Sequence, residues 1–263
     1  MTILHKILSL AWRIWFVIMA ALATLFIGVL FVLPLSCFPK YFKTAYYFER
    51  LWAKMIFFGS GLRIKKAGFI EIESNHPYVV ISNHTSMMDI MLMLILHPKP
   101  MVFVGKKELI SLPVFGFIFK RMNITVDRKD AKSRIQVFRD AKRCISEGKS
   151  ICIFPEGGVP HEDILLNDFL DGPFAIAIMN GVPLITMTIC GMKEILPYAY
   201  FRGKPGKVIV SVNQVLETDR LNKTHIPEIK QTCYHLIRIN LMRCLMDQGK
   251  PIPKRLRKRE LND

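Results

Sequence analysis

Between Ile14 and Leu35 the chain reads IWFVIMAALATLFIGVLFVLPL, 22 positions without a charged side chain. At 1.5 Å per residue this run covers about 33 Å, enough for a hydrocarbon core of about 30 Å. It is apolar on every face, whereas a core helix of a water-soluble domain carries one apolar stripe. Lys6 and Arg13 precede it in the manner of a signal peptide. However, the run exceeds the roughly 7–15 residues of a signal h-region, and no small-x-small cleavage site follows. A retained membrane-anchoring helix is therefore expected, with the rest of the chain folding beside it. The next stretch, TAYYFERLWAKMIFFGSGL, sets aromatic and aliphatic residues around Arg50 and Lys54. It reads as an amphipathic helix at the membrane interface, or as a helix packed on the core. Residues 1–60 thus form an anchor and interfacial helix, 61–248 the main domain, and 249–263 a basic tail.

The net charge of +16 calls for an anionic partner. Nothing in the chain resembles a zinc finger or an aromatic RNA-binding motif, so lipid headgroups are expected and nucleic acid is not. The tail concentrates Lys250, Lys254, Arg255, Arg257, Lys258 and Arg259. It reads as a solvated end or as an adhesive for anionic lipid, worth roughly 1 kcal/mol per basic residue near the surface. Lys40, Lys43, Arg50 and Lys54 outnumber the basic residues before the apolar run. That asymmetry expects the main domain on the cytoplasmic face of the cell (inner) membrane. The six cysteines make no C-x-x-C pair, so neither a zinc site nor a disulfide framework is expected.

Beyond residue 60, strand and helix signals alternate. Strands are expected at 63–73, 78–82, 101–105, 123–127, 150–154, 183–189 and 207–215. Helical patterns occupy 89–96, 112–122, 131–147 and 226–248, the third placing Ile135, Phe138, Ala141 and Ile145 on one face. The fold class this implies is α/β: a mixed central sheet flanked by helices, behind an N-terminal hydrophobic anchoring helix.

Chemistry centres on SNHTSMMD, residues 82–89, where the apolar pattern changes period. Within a helix, His84 and Asp89 would lie about 140° apart and could not meet. They meet only if His84 occupies the turn before a helix whose first turn holds Asp89. Ser86 followed three residues later by Asp89 has capping-box spacing, which supports that arrangement. The plainer reading is an aspartate that favours the positive end of the helix dipole. His97, His161 and His235 read as a helix end, an exposed loop residue and a helix-surface residue. The cluster Met87, Met88, Met91 and Met93 suits adaptable core packing or a surface that accepts acyl chains.

The company of this octet resembles the glycerolipid acyltransferases, specifically the 1-acyl-glycerol-3-phosphate (lysophosphatidic acid) acyltransferase family. Asn83, His84 and Asp89 match the first block, N-H-x-x-x-x-D. FVGKKELISLPVFGFIFKRMNITVDR (103–128) is similar to the second, FPEGG (154–158) to the third and GVPLITM (181–187) to the fourth, in order across 78–190. The third block departs from the family pattern: Gly158-Val159 stand where Thr-Arg is usual, and Phe169-Leu170-Asp171-Gly172 where Phe-Lys-x-Gly is usual.

The resemblance implies transfer of a fatty acyl group from acyl-CoA or acyl-carrier protein to a lysophospholipid acceptor, without a metal or resident cofactor. It implies His84 and Asp89 as the catalytic pair, and Asn83, Lys106, Arg128, Glu156 and Gly157 around the substrate. These roles are chemically reasonable. An alcohol is barely ionised near neutral pH, histidine can take its proton, and a carboxylate can fix the ring's tautomer. A guanidinium suits a phosphate, and adjacent glycines let backbone approach a ligand. A hydrolase with a similar pair would want a nucleophile, and no G-x-S-x-G occurs. A non-catalytic lipid-binding membrane protein is the remaining alternative.

Overall fold

The computed structural model describes residues 2–68, 76–197 and 199–252. The distal part of the first expected strand and the tail residues Lys254, Arg255, Arg257, Lys258 and Arg259 lie outside the described residues.

The apolar run belongs to one continuous helix, Ile3–Ser36. It comprises α1 (Ile3–Ala23), a π-helical stretch over Thr24–Val32 and α2 (Leu33–Ser36). A short turn at Pro39–Tyr41 reverses the chain into α3 (Phe42–Gly59), giving an antiparallel hairpin. The hairpin is laced by polar contacts that an apolar helix rarely supplies. The Trp12 and Trp15 indoles donate to Ser60 O and Gly59 O at 2.9 and 2.8 Å, and Trp52 donates to Thr24 Oγ1 at 3.1 Å. Phe31 stacks on Phe48 with ring centroids 4.6 Å apart.

The hairpin is also fixed to the main domain. The Arg13 guanidinium donates to Pro197 O at 2.5 Å and Ala199 O at 2.8 Å. Ala23 and Val32 are buried in the same core as Ala53, Ile56 and Phe57 of α3. The opposite side of the helix keeps Leu4, Ile7, Leu8, Ile14, Val17 and Leu25 exposed. The helix is thus amphipathic in packing although not in sequence, with one side against protein and the other unpartnered.

Seven strands form one mixed sheet in the order β1-β7-β6-β2-β5-β3-β4. They are β1 (Arg63–Lys66), β2 (Val79–Ser82), β3 (Met101–Lys106), β4 (Ile124–Val126), β5 (Ser150–Ile153), β6 (Leu184–Cys190) and β7 (Lys207–Leu216). Every neighbouring pair is parallel except β6 and β7. The central strands are buried on both faces, as parallel strands covered by helices must be. Along β2 the pleat sends Val80 to one core and Val79 and Ile81 to the other. The first core lies under the hairpin with α4 (Met88–Leu96) and α5 (Phe115–Met122). The second lies under α6 (Ala131–Ser146), α7 (Gly172–Asn180) and α9 (Ile226–Asp247). A short α8 (Met192–Ile195) follows β6.

Two expectations need correction, and one helix stands where none is expected. Helix α6 buries Val137, Ala141 and Cys144, while Ile135 is 56% exposed; the stripe is rotated because Val137 rather than Ile135 meets the sheet. Helix α7 was not anticipated, being apolar nearly all round and only nine residues long. A disulfide joins Cys190 to Cys244, where no disulfide framework was expected. Those cysteines are 54 residues apart and meet only because α9 packs along β6.

Candidate active site

Strand β2 ends in the buried centre of the sheet, and its last residues deliver the turn NHTS at the carboxyl edge, where open α/β sheets place their sites. Asn83 is fully buried and extends the ladder with its side chain. Its Nδ2 donates to Ile189 O and its Oδ1 accepts from Ile189 N, both at 2.8 Å. This two-point pairing fixes the turn to β6 and uses both ends of the amide, so Asn83 is turned into the scaffold and does not line the cavity described below.

The helix begins at Met88, which puts His84 in the preceding turn and Asp89 in the first helical turn. The two side chains meet, His84 Nδ1 to Asp89 Oδ2, at 3.0 Å. Asp89 is wholly buried. The same Oδ2 accepts from the backbone N–H of Thr85 at 2.5 Å and of Ser86 at 2.8 Å, while Ser86 Oγ accepts from Met88 N at 3.3 Å. One carboxylate therefore closes the turn before the helix and holds the histidine ring. With Nδ1 facing a carboxylate, the network assigns the ring hydrogen to Nδ1 and leaves Nε2 as an acceptor. The ring stacks on Phe154, centroids 4.2 Å apart and 14° from parallel.

Glu156, just after β5, also faces inward. Its Oε1 accepts from His84 N and its Oε2 from Asn167 N, each at 2.7 Å. Burial pushes this carboxyl up to about 8, against the opposing pull of those two N–H groups. Glu156 clamps the His84 backbone to the loop after β5 and does not line the cavity described next.

A cavity of about 440 Å³ opens beside the His84 ring, lined by Trp52, Met91, Phe103, Phe154, Lys106 and Arg128 among others. Its wall is mostly apolar. Lys106 closes β3 and pairs in register with Val126 of β4, so Arg128 leaves the sheet two residues beyond that pair. The parallel register thereby brings both cations to one edge of the cavity. Partial burial draws Arg128 below its ordinary value, with Glu108 opposing, and a guanidinium in that state remains charged. Gly157 (φ +73°) is forced: a Cβ there would stand 3.0 Å from Leu170 Cδ1 and 3.2 Å from Arg128 Nη1. Lys106 Nζ lies 3.6 Å from where a Cβ on Gly158 would be.

Behind Trp52, Ile90, Phe103, Phe115 and Phe119, which also line the larger cavity, lies a smaller pocket of about 60 Å³ whose far wall is Thr24, Gly28 and Val32 of the N-terminal helix. The methionine cluster divides as its chemistry allows. Met88 and Met93 are in the core, while Met91 and Met87, the latter 65% exposed, line the cavity.

The structure therefore gathers His84, Asp89, Lys106, Arg128 and Gly157 around or against one cavity, and sets Asn83 and Glu156 behind the histidine as braces. Sequence reading missed Phe154 and Trp52 as walls, although Phe154 adjoins the PEGG turn, and it offered Met91 as core packing or as an acyl-chain surface. Of the other histidines, His97 caps α4 in the core, where its ring meets Tyr78 Oη at 2.9 Å. His161 and His235 are exposed. Among the described residues no three His, Cys, Asp or Glu side chains are grouped to hold a metal ion.

Comparison with known proteins agrees with this geometry. The acyltransferase family model matches residues 63–190. The chain is 27% identical over 190 residues to a chloroplastic 1-acyl-sn-glycerol-3-phosphate acyltransferase of Arabidopsis thaliana, covering 70% of this chain and 52% of that one. It is 25% identical to the human 1-acyl-sn-glycerol-3-phosphate acyltransferase beta, covering 69% and 66%. The chain thus spans between about half and two thirds of the length of these relatives. The crystal structure of the 1-acyl-sn-glycerophosphate (LPA) acyltransferase PlsC from Thermotoga maritima shares the fold, with a TM-score of 0.76 at 22% identity over 91% of this chain and 97% of that one. With the matched span holding the His84–Asp89 turn, both cations and the PEGG loop, the chain carries a domain of the acyltransferase family across residues 63–190.

Proposed function

We propose that the chain transfers a fatty acyl group from an acyl thioester to the free sn-2 hydroxyl of 1-acyl-glycerol-3-phosphate, giving phosphatidate. The observation that carries this reading is the His84–Asp89 pair at 3.0 Å beside a largely apolar cavity edged by two cations. In the proposed step, His84 Nε2 takes the proton from the acceptor hydroxyl as its oxygen attacks the thioester carbon. The O–C bond forms, the C–S bond breaks, and the imidazolium returns its proton to the departing thiolate. Asp89 holds the tautomer and stabilises the imidazolium, and the substrate's own hydroxyl stands in for a serine nucleophile. No acyl-enzyme intervenes.

Arg128 and Lys106 receive the acceptor phosphate through charge-assisted hydrogen bonds. Gly158 and Val159 replace a hydroxyl and a guanidinium here, and Lys106 Nζ reaches over Gly158. The cavity and the inner pocket behind it take the acyl chain. The exposed apolar side of the Ile3–Ser36 helix seats the protein in a membrane, and the basic tail with the hairpin's lysines favours an anionic, cytoplasmic surface.

The test is transfer by purified protein in lipid micelles to a panel of lysolipids with and without a terminal phosphate. Preference for lysophosphatidate supports the reading. Equal use of a zwitterionic lysolipid removes the phosphate assignment, and release of free fatty acid without acceptor replaces transfer by hydrolysis.

A further inference from the structure

Transfer without an acyl-enzyme requires two substrates beside His84 at once, and the cavity described above lies on one side of its turn only. On the other side, against β6, a second groove of about 720 Å³ reaches the neighbouring residue Thr85. Its chemistry differs from that of the first. Ile189 and Leu245 give it an apolar floor, and Lys193, Arg202, Lys204 and Lys250 stand in its walls. The loop after PEGG divides the two spaces: Val159 lines the apolar cavity, while Glu162 and Leu165 line the groove. Lys193 pins this loop, its Nζ donating to His161 O at 3.1 Å and Ile164 O at 3.0 Å.

The remaining cations are available to a ligand. Arg202 meets Glu162 at 3.8 Å, an exposed pair of the kind worth little, and Lys250 meets Glu194 at 3.4 Å with both residues half-buried. Lys204 is exposed and its side chain has no ion pair among the described residues. A phosphodiester or diphosphate anion competes with such partners through charge-assisted hydrogen bonds.

We propose that this groove holds the phosphopantetheine arm of the acyl thioester, its phosphate among Lys204, Arg202 and Lys250 and its thioester beside Thr85. The proposal rests on the acyltransferase reading of His84. The acyl chain then enters the apolar cavity, the acceptor phosphate stays at Arg128 and Lys106, and the two reacting groups meet at the turn. After transfer the arm leaves as a thiol bearing the proton from His84. Acyl-CoA and acyl-carrier protein both present this arm, so the groove serves either source.

The experiment compares the full chain with Arg202→Glu/Lys204→Glu, measuring KM for acyl-CoA, for acyl-carrier protein and for the phosphate-free S-acyl-pantetheine. Without the charge-assisted hydrogen bonds to phosphate, donor KM is expected to rise about tenfold or more for a phosphorylated donor, with acceptor KM and the phosphate-free donor unaffected. A larger rise with one donor identifies the source the groove prefers. Unchanged donor KM, an equal rise in acceptor KM, or an equal rise with S-acyl-pantetheine overturns the assignment. Lys204→Gln, a milder change, is expected to give about a threefold rise and keeps the test readable if the double reversal weakens folding. Calorimetric binding of a non-transferable thioether analogue of acyl-CoA separates this proposal from the reaction itself. Binding that weakens in the double variant of a protein with no transferase activity retains the groove and discards the function.

Discussion

Asp89 Oδ2 accepts three hydrogen bonds at once, from the His84 ring at 3.0 Å and from the backbone of Thr85 and Ser86. The carboxylate that holds the His84 ring therefore also closes the turn that carries it. Asp89→Asn is expected to lower kcat by about 10²–10⁴-fold, because an amide does not stabilise the imidazolium. His84→Ala is expected to abolish transfer with a smaller loss of thermal stability than Asp89→Ala, since only the latter strands two backbone donors. Steady-state kinetics and thermal melts of the three variants check both statements. Transfer by His84→Ala at the wild-type rate would refute the mechanism.

Asn83 tests the scaffold behind the base. Asn83→Ala leaves the N–H and C=O of Ile189 without their partners in a buried site. A cost of about 2 kcal/mol is expected, seen as a fall in Tm of several degrees. Because β6 then no longer fixes the turn, kcat falls while KM for lysophosphatidate changes little. A rise in KM alone would instead make Asn83 a substrate contact.

The acceptor site is tested by charge. Arg128→Ala and Lys106→Ala are each expected to raise KM for lysophosphatidate about 10–100-fold, the range for losing a hydrogen bond to a charged group. Neither should affect a poor acceptor that lacks the terminal phosphate. Gly157→Ala is expected to behave as a weaker Arg128 variant, since its Cβ displaces that guanidinium and its φ of +73° disfavours a side chain.

Two buried groups give stability a pH dependence of opposite sign. Burial pushes Glu156 up to about 8 from 4.5, so between those values the folded chain holds a proton the unfolded chain lacks, and stability falls as pH rises. Burial, aided by Arg50, lowers His97 to about 4 from 6.5, so the unfolded chain holds the extra proton in that window and stability rises with pH. From pH 6.5 to 8 the His97 contribution is constant. Thermal melts of Glu156→Gln across this range are expected to gain on the wild type as pH rises. A difference independent of pH would contradict the Glu156 assignment.

The strands were legible because their apolar runs are short, β-branched and bounded by turns. The His84–Asp89 contact was legible only as a condition: the two cannot meet within one helix, so a pair requires His84 in the turn before it. Glu156 and Asn83 were legible only as members of a pattern. Their inward orientation depends on Ile189, 106 residues from Asn83, and on His84, 72 residues from Glu156. Helix α7 escaped because burial on nearly all sides erases helical periodicity. The Cys190–Cys244 bridge and the Arg13 contacts escaped for a related reason: partners 54 and more than 180 residues away leave no local signal.

The Arg13 clamp on Pro197 and Ala199, with Ala23 and Val32 sunk in the main core, changes what the N-terminal helix is. A tether can be cut away to yield a soluble enzyme; a wall cannot. A shortened form starting after Ser36 would open the inner pocket at Thr24, Gly28 and Val32, bare the apolar side of α3 to water, and leave two carbonyls without their guanidinium. The N-terminal helix and the His84 site are therefore parts of one packed body.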